Sequence, residues 1–193
     1  MPHCPQSEMA AAPQAGQDSR RYPAMQPQQV PQSWCSYPAQ TTDGGDASVL
    51  FNSGLVDVGP VETAPYLHLV GVDMVDQIEG GLATEREANW FYAFEDAVTP
   101  VAETMGFFPV GRVRSNGRWE LSFYSATDMD IVDVLAAAGP ITRERSLRVG
   151  GDADPEWKFL FEHIAPHLAV PSEDETVRQL HSEDEEHIVS KAA

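Results

Sequence analysis

The chain has 193 residues and carries 12 Lys and Arg against 30 Asp and Glu, a formal net charge of -18. A field of that sign repels phosphate backbones and anionic lipid heads and attracts basic surfaces. There is no run of roughly 18 apolar residues to cross a membrane, and the two cysteines, Cys4 and Cys35, can build neither a disulfide framework nor a four-ligand zinc site alone.

Residues 1–46 are rich in Pro and Gln, with no helical or strand period. Too few apolar groups are present to offset chain entropy, so we read this segment as a disordered tail, with Tyr22, Trp34 and Tyr37 as scattered aromatics rather than the alternative, a docking motif. The start has no apolar signal region, and a cytoplasmic, bacterial-type protein is expected. Residues 48–170 hold 8 basic and 19 acidic residues, so the acidity belongs largely to the folded part. One folded domain is expected over 47–170, followed by an acidic mobile tail over 171–193.

Within the domain, "SVLFNSGLVDVGP" has strand character and stops at Gly59-Pro60. The near-continuous apolar run "YLHLVGVDMV", 66–75, suits a central strand. A helix opens at Thr84 with Glu87 three residues on, a capping-box pattern. Phe91, Phe94, Val98, Val101 and Met105 give it one apolar stripe, and Pro100 predicts a kink or restart near Thr99.

Two strands follow, 107–114 and 118–125, joined at Asn116-Gly117, the strongest short hairpin signal. The implied register places Arg114 opposite Trp119, Arg112 opposite Leu121 and Val110 opposite Phe123 on a core-facing side. Val113 with Glu120, Gly111 with Ser122 and Pro109 with Tyr124 fall on the other, open side. A second helix is expected from Thr127, with Asp128 and Asp130 in its first turn, ending at Gly139-Pro140. Residues 141–149 read as a charged edge strand. A last helix is expected at "DPEW", with Asp154 as N-cap, Pro155 at the first position and Trp157, Leu160, Phe161 and Ile164 on one face. The order is βαββαβ, the ferredoxin-like plan of an α+β fold, with an additional N-terminal strand and a C-terminal helix.

The sequence offers little for catalysis. His163 and His167 have zinc-like spacing, but Pro166 lies between them and they read as exposed residues at a helix end. Asp128 and Asp130 read as a charge–dipole feature, and Glu95 and Asp96 diverge on a helix. No nucleophile elbow occurs in the sequence. Gly150-Gly151 matches no phosphate-binding fingerprint. The expected open face offers only Tyr124 for base stacking, beside Glu120, so direct nucleic-acid binding is not expected. No cofactor and no metal are expected. Of the three hairpin arginines, Arg118 should be solvated and Arg114 should lie over Trp119. Arg112 points to the apolar side and needs a carboxylate or carbonyls, either through an internal salt bridge to a helix acid or through a ligand carboxylate or a partner.

"VGRVRSNGRWELSFY", followed some 30 residues later by "DPEW", resembles the domain of unknown function family 695, and "LVGVDM...GL...E...FYAFEDAV" resembles that family's first strand and helix. The resemblance covers roughly residues 48–168. It implies a ferredoxin-like core related to the ribonuclease E regulator B type, and binding to a protein rather than catalysis. Gly111, Arg112, Gly117, Glu120, Phe123, Tyr124, Asp154 and Trp157 match the family pattern. The resulting expectation is a non-enzymatic, acidic regulator or inhibitor of a basic, nucleic-acid-handling protein, with no membrane contact. The alternative is a small-molecule binder or enzyme with a pocket around Arg112, Glu120 and Tyr124. Trp157 joins these three as a possible contact.

Overall fold

The computed structural model describes residues 25–166. The calls on Cys4, Tyr22, His167 and residues 171–193 lie outside them. The fold is mixed α+β: six antiparallel strands form one sheet in the order β1-β2-β4-β5-β3-β6. In chain order they are β1 (Trp34–Gln40), β2 (Asp46–Asn52), β3 (Tyr66–Asp73), β4 (Phe108–Ser115), β5 (Arg118–Ser125) and β6 (Leu147–Ala153). Three helices intervene: α1 (Gly54–Val58), α2 (Glu85–Thr104) and α3 (Ile131–Ala137).

The first correction concerns the start. Residues expected in a disordered tail form a 3-10 turn, Pro27–Gln29, and the edge strand β1. The missed signal is alternation. Tyr37 and Ala39 pack against the core on one side of β1, while Trp34, Ser36 and Pro38 are exposed. Pro38 masked this in sequence, because within sheets proline is confined to edge strands, strand starts and bulges. Val30 is buried beneath the turn, and the Tyr37 hydroxyl donates to the Ile164 carbonyl at 2.7 Å.

The helix beginning at Thr84 forms, with the Thr84 hydroxyl accepting from the Glu87 N–H at 3.3 Å. It runs as one helix through Pro100 without a restart. The capping box is only half made. The Glu87 carboxylate accepts instead from the Val75 N–H at 2.7 Å and from two nitrogens of Arg145, at 2.5 and 3.0 Å. Those bonds hold its pKa below the usual carboxylate range, against burial.

The Asn116-Gly117 turn is as expected, with positive φ at both residues (48° and 72°). The register holds from Ser115–Arg118 to Gly111–Ser122 and then shifts between Pro109 and Gly111. Val110 becomes the extra residue of a β-bulge. Pro109 therefore faces Phe123, Phe108 faces Tyr124, and Val110 moves to the opposite side of the sheet. Pro109 has no N–H for the ladder. Gly111 lies so close to β2 that a Cβ would sit 2.1 Å from the Leu50 carbonyl oxygen.

The second helix starts later than expected. Asp130 is its N-cap, accepting from the Val132 N–H at 2.9 Å. Residues 140–143 form a 3-10 turn after Gly139, taking in 141–143, the start of the strand expected over 141–149. The Thr142 hydroxyl holds that turn to the carbonyls of Leu135 and Gly139, both at 2.9 Å. β6 begins only at Leu147.

Both faces of the sheet are covered, which corrects the expected open side. On one face, Val70, Val72, Trp119, Leu121 and Phe123 meet Phe91, Phe94 and Val98 of α2 and Ile131, Val134 and Leu135 of α3. On the other, Val49, Phe51, Leu67, Phe108, Val110 and Tyr124 meet Leu55, Ala64, Trp157, Leu160 and Ile164. The C-terminal cover is a wide helical turn, Phe159–Ile164, rather than a helix from Pro155. Trp157 has φ 53°, which turns the chain back over the sheet. The Asp154 carboxylate accepts from the N–H groups of Lys158 and Phe159 at 2.8 and 2.9 Å.

Candidate functional site

Arg112 rises from β4 on the helix-covered face. Its guanidinium lies 5.1 Å from the Tyr92 ring centroid and 4.9 Å from that of Trp119. Nη1 donates to Glu95 on α2 at 2.5 Å, and Trp119 Nε1 donates to the same carboxylate at 2.6 Å. Of the partners open to Arg112 in the sequence, the structure supplies the helix acid, Glu95. Burial pushes the Glu95 pKa up, and the Arg112 charge and the Trp119 hydrogen bond partly offset that rise. The buried Nε atoms of Arg112 and Arg114 have no hydrogen-bond partner among the described residues. The Arg114 guanidinium also lies near the Trp119 ring, 5.1 Å from its centroid, and its Nη2 donates to Ser48 at 2.9 Å. Arg118 is half-exposed at the turn, 3.6 Å from Asp73.

Beside this pair opens a cleft of about 350 Å³. It forms because α2 covers the middle of the sheet while β1 and β2 extend past the helix flank. Trp34, Leu50, Pro100 and Phe123 supply apolar walls, and Glu95, Asp96 and Arg112 supply the polar groups. Trp34 is 43% exposed, and Asp96 is exposed at the rim. The bulge contributes too, since Pro109 and Gly111 line the floor. Trp34 was hidden in the supposed tail, and Pro100 reads in sequence only as a helix breaker.

The grouping of Arg112, Glu120 and Tyr124 does not hold. Residues 112 and 120 point to opposite faces of the β4–β5 hairpin, because Arg112 pairs with Leu121 and Glu120 with Val113. Glu120 is half-buried in a separate polar hollow with Val113, Ser115, Asn116 and Arg118. Burial raises its pKa and Arg118 partly offsets this. Tyr124 lies four residues along β5, ~13 Å at strand rise, and is fully buried. Its ring stacks on Trp157, and its hydroxyl donates to Asp154 Oδ2 at 2.6 Å. Burial, with the Asp154 charge and hydrogen bond, drives its pKa far upward. Tyr124 and Trp157 are core residues, and Tyr124 has no ring face free to stack a base. The Trp157 Nε1 donates to the Ala64 carbonyl at 2.8 Å.

One further polar pair is buried. His68 Nε2 lies 2.8 Å from Ser125 Oγ, and the imidazole packs on Tyr66 and Phe107. Burial lowers the His68 pKa, while Asp130 acts in the opposite sense. Ser125 is fully buried and donates to the Ala126 carbonyl, so the pair has no access to a substrate. His163 is exposed on the last turn. Among the described residues no group of three His, Cys, Asp or Glu side chains could hold a metal, and no helix is long and apolar enough to cross a membrane.

The exterior charge has a simple origin. Among the described residues, Arg86, Arg112, Arg118, Arg145, Arg148 and Lys158 all lie in salt bridges with carboxylates of the same domain. The cations are largely consumed internally, and the excess carboxylates face solvent.

Compared with known proteins, residues 32–164 match the model described as "Family of unknown function (DUF695)". That range begins within the turn leading to β1, upstream of the boundary composition suggests. No curated protein and no solved structure matches.

Proposed function

As the chain belongs to the family of unknown function DUF695, we propose from its surface and cleft that it is a non-enzymatic, acidic protein-binding domain that regulates or inhibits a basic partner. The carrying observation is the cleft: apolar walls from Trp34, Leu50, Pro100 and Phe123 with the exposed carboxylate of Asp96 at the rim. An aromatic ring or the methylene stem of Lys or Arg fits such walls, with its cationic end at Asp96. The surrounding negative field steers a basic partner toward it and makes association fall with salt. A nucleic-acid-handling protein of the cytoplasm is the partner class with a matching surface, since phosphate-binding faces are basic.

The finer fold reading belongs to the same proposal. The consecutive strands β3, β4, β5 and β6 lie side by side as β4-β5-β3-β6, with α2 and α3 as the two connections on one face. This order supports a ferredoxin-like core with β1 and β2 added beyond β4 and a C-terminal cover over the second face. Coupling to a basic partner through the α2 flank leaves that core undisturbed.

A second reading, a small-molecule site in the same cleft, is favoured by the unpartnered Arg112 Nε. The two separate cleanly in one pair of experiments. Capture at low salt with wild-type bait and with Asp96→Lys bait tests the first, which requires a specific basic protein retained by the wild type alone. A metabolite melting screen tests the second, which requires a ligand that raises Tm in the wild type and not in Leu50→Trp, where the cleft is filled.

A further inference from the structure

The sheet has two edges, and they are built differently. β1 carries Pro38, which breaks the row of donors and blunts that edge. β6 carries neither a proline nor a register shift along its whole pairing with β3. Asp154, just past its end, donates its N–H to the Pro65 carbonyl on the β3 side. Antiparallel ladders alternate, so the even residues of β6 bond to β3 and the odd residues, 147 to 153, direct their N–H and C=O groups outward. The Ala153 N–H agrees, since it turns away from β3 and is met by the carboxylate of Asp152 at 2.8 Å.

We propose that β6 pairs edge to edge with β6 of a second copy, antiparallel about a two-fold axis at Gly150, joining two sheets into one. The charges select this register. Gly150 is the midpoint of Leu147–Ala153, and about that centre Arg148 falls opposite Asp152 of the other copy, and Asp152 opposite its Arg148. Two identical opposite-charge pairs result, as a two-fold interface requires. The same centre places Val149 opposite Gly151, a pair of outward-directed residues that exchange ladder hydrogen bonds. Both side chains reach solvent, and each would exchange a contact within its own chain, Arg148 with Asp73 and Asp152 with the Ala153 N–H, for the cross-strand pair. Arg148 is 60% exposed in its contact with Asp73, and Asp152 is exposed. The sequence reading took charge at this edge as a guard against strand addition. The observed strand holds one charge of each sign, symmetrically placed, and so fits its own copy.

The net negative charge of two copies opposes their approach at low ionic strength, so the test uses about 0.15 M salt, where the Debye length is about 8 Å. Sedimentation equilibrium of the full chain is expected to show a monomer–dimer equilibrium. Arg148→Glu or Asp152→Arg alone should weaken it on the order of tenfold. The swap Arg148→Asp with Asp152→Arg should restore it, because the pairs re-form with the signs exchanged. Val149→Pro, which removes an outward N–H and leaves the β3 ladder intact, should abolish it. A wild type that stays monomeric to millimolar concentration overturns the proposal. So does a dimer indifferent to the single charge changes or to Val149→Pro, or one that the swap fails to restore.

Discussion

The rings of Tyr124 and Trp157 lie face to face, with centroids 4.4 Å apart and planes 7° from parallel. One stands on the central strand β5 and the other on the segment that closes the second face of the sheet. The contact makes the C-terminal cover part of the core. Trp157→Ala is expected to destabilise the domain by about 3–5 kcal/mol, as large-to-small changes of buried aromatics do. Tyr124→Phe keeps the stack and leaves Asp154 without its hydroxyl donor, at a cost of about 1.5–3 kcal/mol. Urea unfolding of the two variants checks the order. Equal and negligible losses would mean that the cover is not packed as described.

The Arg112–Glu95 pair makes a different prediction, because both partners are largely buried, with side-chain exposures of 14% and 17%. Arg112→Met or Glu95→Met alone leaves an uncompensated charge and should cost about 3–5 kcal/mol. The double variant should recover part of that loss, since an apolar pair of similar volume avoids both desolvation penalties, while the Trp119 Nε1–H, left without Glu95, retains the rest. A double-mutant cycle measures the coupling. Additive losses would show that the pair does not act as a unit.

Stability should fall as pH drops below the ordinary histidine range. His68 has a lowered pKa in the folded state because it is buried, despite Asp130 nearby. The unfolded chain therefore takes up this proton first. The stability held by neutral His68 is present above about pH 6.5 and is lost as pH falls toward the folded value. Glu95, raised by burial, acts with the opposite sign. Its contribution is present below the ordinary glutamate range, about 4.3, and is lost as pH rises through its folded value. In His68→Gln the slope of unfolding free energy between pH 7 and 5 should be shallower than in the wild type. An unchanged slope would remove His68 from the account.

The true domain boundary is testable by truncation. A chain starting at Met25 keeps every element described above. One starting at Ala47 loses β1, the Val30 anchor and the Tyr37–Ile164 bond, and uncovers β2. It should have a lower Tm and a tendency to aggregate, because β2 becomes an unguarded edge. Equal melting of the two truncated chains would place β1 outside the cooperative unit.

The fold was legible where local chemistry is decisive. Asn116-Gly117 set the hairpin register, and Thr84 and Gly139-Pro140 marked helix ends. Arg112 on the apolar side needed a polar partner, and of those left open the helix acid Glu95 supplies it. Reading failed where distant segments decide. Val110 leaves its expected face because the bulge depends on the approach of Gly111 to Leu50 of another strand. Glu87 has capping-box spacing, but Arg145, 58 residues away, claims its carboxylate. The proposed pocket around Arg112, Glu120 and Tyr124 failed on alternation, since the hairpin register already put Arg112 and Glu120 on opposite faces. The cleft itself was invisible because Trp34 sits in a segment whose composition resembles a tail.

The most direct test of the binding proposal is quantitative recovery of one basic partner from native lysate at low salt, by peptide mass spectrometry with isotope-labelled lysates, with wild-type, Asp96→Lys and Trp34→Ala baits of matched stability. The account predicts a specific partner whose recovery falls at least about tenfold with either substitution, the scale of one lost interface anchor, and declines with added salt. Recovery of the same partner equally by all three baits, or of no specific protein by the wild type, would contradict it.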